Sequence, residues 1–252
     1  MKNALLVLAF AAATFTAQAQ QSAAKAVPAA ATTAAPAGYA DMMAAAITEL
    51  NSTGDPAQLK LIVSKFERAA AAVPTDWLPQ YYQAYGRLLT CFTSKEEGDV
   101  KDKYLDQAEA SLAQARKLGG EESELLVVQA YIHQARLGIS PMARSMKYSA
   151  LSREALGQAK KLNPANPRIY LVEGNNLYYT PKMFGGGADV AKPVFEEGKA
   201  RYAAFKPASA LAPSWGERQL QGRLKAYAAQ PDRKSTRLNS SHSTLSRMPS
   251  SA

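Results

Sequence analysis

The chain has 252 residues, of which 47% are hydrophobic and 20% are charged, and its formal net charge is +9 at pH 7. This length and composition suit one folded domain with flanking segments rather than a fibrous or fully disordered protein. The single cysteine excludes an intramolecular disulfide and a cysteine-based zinc cluster.

The first 19 residues have the pattern of a cleavable signal peptide. Lys2 precedes an apolar stretch from Ala4 to Phe15, and the sequence AQA at positions 17–19 suits signal peptidase. An apolar run of about a dozen residues is too short to span a bilayer, and no cysteine follows it to carry a lipid. We therefore predict an exported bacterial protein, periplasmic or secreted, with no stable membrane anchor.

Residues 20–38 consist largely of Ala, Thr and Pro, with almost no large apolar side chain. Such a segment cannot bury enough surface to offset the entropy lost on ordering, so we predict a disordered leader. Residues 39–231 are then the folded part of the chain, and their number suits one helical domain.

Within residues 39–231, apolar side chains recur every three or four residues, which is the period of an amphipathic helix, and no strand-like alternation is present. Start signals such as Asp55-Pro56 and the stop signal Gly119-Gly120 divide this pattern into nine predicted helices. Seven of them are placed at residues 39–50, from 55 onward, 77–90, 122–137, 144–162, from 166 onward and after 215. The fourth has its apolar residues between 104 and 118, and the eighth has them between 191 and 205.

A turn residue followed about ten positions later by a small residue recurs three times, at a spacing of roughly 45 residues. The pairs are Pro74 with Ala84, Gly120 with Ala130, and Pro164 with Gly174. This repeat predicts an all-α stack of helical hairpins, in which each hairpin buries its apolar side only against its neighbours.

The second helices of the central hairpins resemble the small, large, small and turn positions of the tetratricopeptide repeat. These positions are Ala108, Leu112, Ala115 and Gly120, then Ser152, Leu156, Ala159 and Pro164. The resemblance implies a right-handed superhelical stack of tetratricopeptide-like α-hairpins, an α-solenoid, over most of residues 39–228. It is partial, because the repeat is near 45 residues rather than about 34 and the usual aromatic positions of the first helix are degenerate.

The chain is also similar to a group of secreted bacterial tetratricopeptide-like proteins that have a Phe-Gly-Gly-Gly turn and a Pro-x-Trp-Gly element. Here these motifs are residues 184–187 and 213–216. This second resemblance supports the fold and the compartment, and it implies no chemistry.

In the tetratricopeptide fold, the concave surface formed by the first helices commonly receives a peptide. Alignment of the repeats places tyrosines and polar side chains on that face, and a tyrosine buries area while keeping a hydrogen-bonding group. We predict that this row binds a peptide or partner protein of the cell envelope, although the same side chains could instead pack between hairpins. The row consists of Tyr81, Tyr85, Tyr131, Gln134, Arg168, Asn175, Tyr178 and Tyr179.

A second hypothesis is a small-molecule or substrate-binding module of an envelope transport or degradation system. Its pocket would lie near Tyr178, Phe184 and Trp215. Aromatic side chains line most small-molecule pockets, together with a few polar groups. If changing Tyr85, Tyr131 and Tyr178 to Ala abolished the binding of a protein partner, the first hypothesis would be supported. If a metabolite raised the melting temperature of the protein, the second would be supported.

No pattern in the sequence predicts an enzyme, a cofactor or a metal site. His133 has no partners at ligand spacing, and Cys91 has no activating base near it in the sequence. Glycines 185–187 lack the lysine and hydroxyl residues of a phosphate-binding loop, so we predict a turn there. The adjacent glutamate pairs are typical of solvated surfaces and helix starts.

Residues 232–252 read DRKSTRLNSSHSTLSRMPSSA and have no apolar period. This run resembles a translated sequencing adaptor, so we predict a disordered tail and a natural sequence truncated near Pro231. Without the tail and Lys2, the net charge is about +5. The basic residues are dispersed along the predicted helices, as on solvated faces, so we predict no nucleic-acid partner.

Overall fold

The computed structural model describes residues 35–229. The predicted signal peptide, the leader up to residue 34 and the adaptor-like tail lie outside the described residues. From residue 35 to residue 229 the chain forms nine α-helices and one 3-10 turn and contains no strand, which confirms the predicted all-α class. The elements are α1 (Tyr39–Ser52), α2 (Pro56–Ala72), α3 (Leu78–Thr93), α4 (Gly98–Lys117), α5 (Glu122–Ile139), α6 (Pro141–Leu162), α7 (Pro167–Tyr179), the 3-10 turn (Lys182–Phe184), α8 (Ala188–Ala204) and α9 (Glu217–Ala228).

Two helix starts that the sequence signals have side-chain caps in the structure. Asp55 caps α2 by accepting a hydrogen bond at 2.9 Å from a backbone N–H two residues on. Asn166 caps α7 in the same way at 3.1 Å. The predicted start of α6 at Arg144 is wrong, because α6 begins at Pro141, whose fixed φ and missing N–H suit the first helical position.

Consecutive helices pair into hairpins, α1 with α2, α3 with α4, α5 with α6 and α7 with α8. The first helices α1, α3, α5 and α7 contact one another in that order and form an inner layer. The second helices α2, α4 and α6 also pack on the first helix of the next hairpin. The core is therefore shared between hairpins, and the tetratricopeptide-like positions of α4 and α6 are buried in it.

Small residues allow the close approach of helices inside and between these hairpins. Ala84 and Ala130 are fully buried. A Cβ atom on Gly174 would lie 2.5 Å from the ring of Phe195 in α8. The small residues that mark the repeat in the sequence are thus packing positions.

We expect Gly174→Ala to lower the free energy of unfolding by about 1–3 kcal/mol, because the added methyl group overlaps the buried ring of Phe195. Gly157→Ala in α6 is a matched control, since nothing lies within 4 Å of its Cβ position. The control should stabilise the protein by up to about 1 kcal/mol. Urea unfolding followed by circular dichroism measures both, and equal effects would contradict the close contact.

The C-terminal segment, which we define as residues 205–228, folds back over the inner layer. Leu220 of α9 is buried and Tyr227 packs against the core. Arg218 reaches the carbonyl oxygen of Asn51 in α1 at 2.6 Å, and other α9 side chains bond to α3 and α7. The segment therefore covers much of the concave face on which the sequence predicts a partner.

Candidate ligand-binding site

The concave face at α3 is covered by the protein's own Trp215, which is 3% exposed. Its indole stacks on Tyr85 with ring centroids 4.3 Å apart, and its Nε1 donates to the Tyr81 hydroxyl at 2.8 Å. Gln219 of α9 donates to the Tyr85 hydroxyl at 3.3 Å. Tyr81 and Tyr85, which the sequence placed among the partner contacts, are therefore buried and bonded within the chain.

Arg168, also placed among the partner contacts, is 1% exposed and forms an ion pair with Glu124 of α5. Its Nε donates to the Glu124 carboxylate at 2.8 Å. The same carboxylate accepts hydrogen bonds from Asn166 at 2.9 Å and from the Tyr81 hydroxyl at 3.2 Å. Burial raises the pKa of the Glu124 carboxyl, and the guanidinium opposes that rise. In this fold Arg168 is a structural residue, because a buried guanidinium needs the counter-charge that α5 supplies.

Gln134 and Asn175, two more residues of the predicted row, also have partners inside the fold. Gln134 donates to the carbonyl of Val172 at 2.9 Å and to the hydroxyl of Ser152 at 3.2 Å. Asn175 is 5% exposed and accepts a hydrogen bond from Arg223 at 3.0 Å. Both side chains thus hold neighbouring elements together.

The accessible part of the row belongs to an aromatic surface that we call the tyrosine patch. Its members are Phe92, Tyr131, Tyr178, Tyr179, Arg223 and Tyr227. Tyr179 is 66% exposed and Phe92 is 44% exposed, whereas the other members are half-buried. The ring of Tyr178 meets Tyr179 edge to face at 5.1 Å and Tyr227 at 6.0 Å. Phe92 lies against Tyr131 with ring centroids 4.9 Å apart.

Arg223 connects Tyr178 and Tyr179 of the patch with the buried Asn175. Its Nε donates to Asn175, and its Nη2 donates to the Tyr179 hydroxyl at 2.9 Å. The guanidinium carbon lies 5.3 Å from the ring centroid of Tyr178 and 5.1 Å from that of Tyr179, within the range of a cation–π contact. A shallow pocket beside it is lined by Tyr178, Arg223, Ala226 and Tyr227. The patch therefore combines flat aromatic rings with one positive charge.

Two phenols of the patch are held in their protonated form at neutral pH. Burial raises the pKa of Tyr131 to about 12 and also raises the pKa of Tyr227, because a phenolate loses more solvation than a phenol. The Tyr227 hydroxyl donates to the carbonyl of Ala188 at 2.8 Å. These two residues thus offer neutral ring faces, while their hydroxyls are bonded within the fold.

The pocket predicted near Tyr178, Phe184 and Trp215 is formed only in part. Tyr178 lines the shallow pocket, but Trp215 belongs to the core and Phe184 is 72% exposed in the 3-10 turn. Arg223 and Tyr227 of α9 complete the pocket instead. The sequence analysis assigned neither Arg223 nor Tyr227 to a site, because no sequence pattern shows where the chain between α8 and α9 runs.

The other residues considered for chemistry have structural surroundings. His133 is half-buried with its ring 5.8 Å from that of Tyr148, and burial raises the pKa of the Cys91 thiol to about 11. The N–H groups of glycines 185–187 donate to carbonyls of their own turn and of α7. Among residues 35–229, no group of three or more His, Cys, Asp or Glu side chains is placed to hold a metal ion. Within the same range, no helix has the length and hydrophobicity needed to cross a bilayer.

The fold and the patch define an all-α, helical-repeat protein with an aromatic surface. Among solved structures, the chain is similar to the HusA haemophore from Porphyromonas gingivalis, with 35% sequence identity and a TM-score of 0.69. The match covers 79% of this chain and 98% of the haemophore chain. The chain belongs to the family of the HusA haemophore. No protein-family model matches the chain, and no curated protein does either.

Proposed function

We propose that the protein binds a haem-type porphyrin on the tyrosine patch and acts as a carrier rather than as an enzyme. One observation carries the proposal: flat rings surround a guanidinium on an accessible surface of a chain whose family includes a haemophore. A haemophore binds haem, so haem-type porphyrins are the first ligands to test. This proposal belongs to the small-molecule hypothesis of the sequence analysis, with the pocket moved from Trp215 to α9.

The residues of the patch fit such a ligand. A porphyrin macrocycle is flat and largely apolar, so the exposed rings of Phe92 and Tyr179 and the half-buried ring of Tyr178 can stack on its face or cover its edge. Porphyrins of this type also carry carboxylates, which a positive charge attracts. We expect ring contacts to supply most of the affinity, because the Tyr227 and Tyr131 hydroxyls already have hydrogen-bond partners inside the fold.

We expect the full chain to bind haemin and iron-free protoporphyrin IX with dissociation constants within about tenfold of each other. The double variant Tyr178→Ala, Tyr179→Ala should weaken the binding of both porphyrins by about tenfold to a hundredfold, because two rings no longer cover the ligand. Absorbance titration for haemin and fluorescence titration for protoporphyrin measure these constants.

Tyr104→Ala is the matched control, because Tyr104 is a half-buried tyrosine of α4 whose ring lies beside Lys60, outside the patch. This variant should bind both porphyrins as the unchanged chain does. Absence of binding by either porphyrin would contradict the proposal. Equal losses in Tyr104→Ala and in the double variant would contradict the patch as the binding site.

We also propose that the carrier works after export, in the periplasm or outside the cell, and that its hairpins are of the tetratricopeptide-like type. The signal-peptide pattern of residues 1–19 supports export. Burial of the small and large repeat positions of α4 and α6 supports the repeat type.

A peptide or partner protein of the cell envelope is the alternative. An extended peptide on the concave face would have to displace Trp215 and α9, which already fill much of it. A partner protein would instead find exposed apolar side chains near the start of α6 and in the 3-10 turn, where Met142, Met146 and Met183 are 99%, 91% and 83% exposed. If no porphyrin binds, this alternative becomes the better supported one.

A further inference from the structure

We propose that Arg223 determines specificity at the tyrosine patch by binding a carboxylate of the ligand. The inference rests on the proposed function and names the chemical group that the site recognises. The ligand class would be a flat, largely apolar molecule with at least one free carboxylate at its edge, as in a porphyrin with propionate side chains.

Six arginines among residues 35–229 are buried or half-buried, and Arg223 differs from the other five in its lack of an ion pair. Each of the others forms an ion pair with a carboxylate, at distances of 3.1 Å or less. Arg223 is half-buried as well, yet it forms no ion pair with an acid among residues 35–229. The paired arginines are Arg87, Arg136, Arg144, Arg168 and Arg201.

An unpaired guanidinium in a half-buried position has lost part of its solvation without gaining a counter-charge. Its geometry is nevertheless fixed, because Asn175, itself buried, holds Nε and the Tyr179 hydroxyl holds Nη2. Nη1 donates to no group among the described residues, and a guanidinium has five N–H donors in a fixed plane. The side chain is thus pre-organised and keeps donors free for a planar anion.

The surroundings of Arg223 admit a negative charge. None of the four residues that line the adjoining pocket, Tyr178, Arg223, Ala226 and Tyr227, is acidic. Asp189, whose negative charge helps to raise the pKa of Tyr227, forms an ion pair with Lys182 at 3.0 Å. The rings of Tyr178 and Tyr179 flank the guanidinium, so a carboxylate bound there would place an attached apolar ring system against them.

The test compares protoporphyrin IX with its neutral dimethyl ester, which keeps the macrocycle and removes both negative charges. The full chain should bind the diacid about tenfold to a hundredfold more tightly than the ester, as expected for a charge-assisted hydrogen bond. Arg223→Gln should reduce that preference to about threefold or less, because only the diacid loses a charged partner. Arg218→Gln, on the same helix but bonded to the carbonyl of Asn51, is the control and should keep the full preference.

Four results would overturn the inference. If the unchanged chain binds diacid and ester equally, the patch does not recognise a carboxylate, although the proposed function survives. If Arg223→Gln weakens both ligands equally, the residue only supports the fold of α9. If Arg218→Gln loses the preference as well, the effect is not specific to the patch. If the unchanged chain binds neither ligand, the proposed function itself fails, and the inference fails with it.

Discussion

Glu124→Leu is expected to lower the free energy of unfolding by about 3–5 kcal/mol, because it leaves the guanidinium of Arg168 buried without a counter-charge. The substitution also removes the acceptor for Asn166 and for the Tyr81 hydroxyl. Urea unfolding of the full chain, monitored by circular dichroism at about 222 nm, measures the loss of free energy.

The double variant Glu124→Leu, Arg168→Met separates the cost of an unpaired charge from the loss of packing. Apolar side chains of similar volume often replace a buried ion pair at little cost, so the double variant should recover at least about half of the loss. A cost below about 1 kcal/mol for Glu124→Leu alone would be the behaviour of a surface contact and would contradict the buried pair.

Trp215→Ala is expected to lower the free energy of unfolding by about 3–5 kcal/mol, because it opens a cavity beside Tyr85 and removes the hydrogen bond to Tyr81. The Tyr81 hydroxyl in turn donates to Glu124, so the indole is linked to the buried ion pair. Amide hydrogen exchange should also become faster along α9, since Trp215 anchors the segment that leads into it.

Trp215→Phe separates ring packing from the hydrogen bond. It keeps an aromatic ring on Tyr85 and should cost about 1–3 kcal/mol, chiefly for the lost hydrogen bond and reduced volume. If Trp215→Ala left both the stability and the exchange of α9 unchanged, the C-terminal segment would not be part of the folded core.

The hairpin architecture could be predicted from the sequence because it depends on local patterns. The apolar period, the proline and glycine stops, and the small residues at positions 84, 130 and 174 all act within one hairpin or between neighbours. The starts of α4 and α6 were exceptions, because α4 begins at Gly98 and α6 at Pro141, in each case before the predicted apolar stripe begins.

The candidate site could be predicted only in part because it depends on contacts between distant residues. Tyr131, Tyr178 and Tyr179 were predicted from their repeat positions and lie on the tyrosine patch, but Arg168 occupies an equivalent inner position and is buried against Glu124. Trp215 lies 134 residues from its hydrogen-bond partner Tyr81. Such pairing is set by the return path of the chain after α8, which has no periodic signal.

Which charged side chains form ion pairs could be learned only from the structure. Arg223 has no feature in the sequence that distinguishes it from Arg218 on the same helix. In the structure, Arg218 bonds a carbonyl of α1 at the exposed surface, whereas Arg223 lies between two tyrosine rings without a carboxylate. The difference comes from the face of α9 on which each residue lies.

A crystal structure of the full chain with protoporphyrin IX tests the central claim most directly. We expect the macrocycle to lie against Tyr178 and Tyr179 with a propionate on the guanidinium of Arg223, while Trp215 stays stacked on Tyr85. A macrocycle bound elsewhere on the protein, or one that occupies the place of Trp215 on the concave face, would contradict the account.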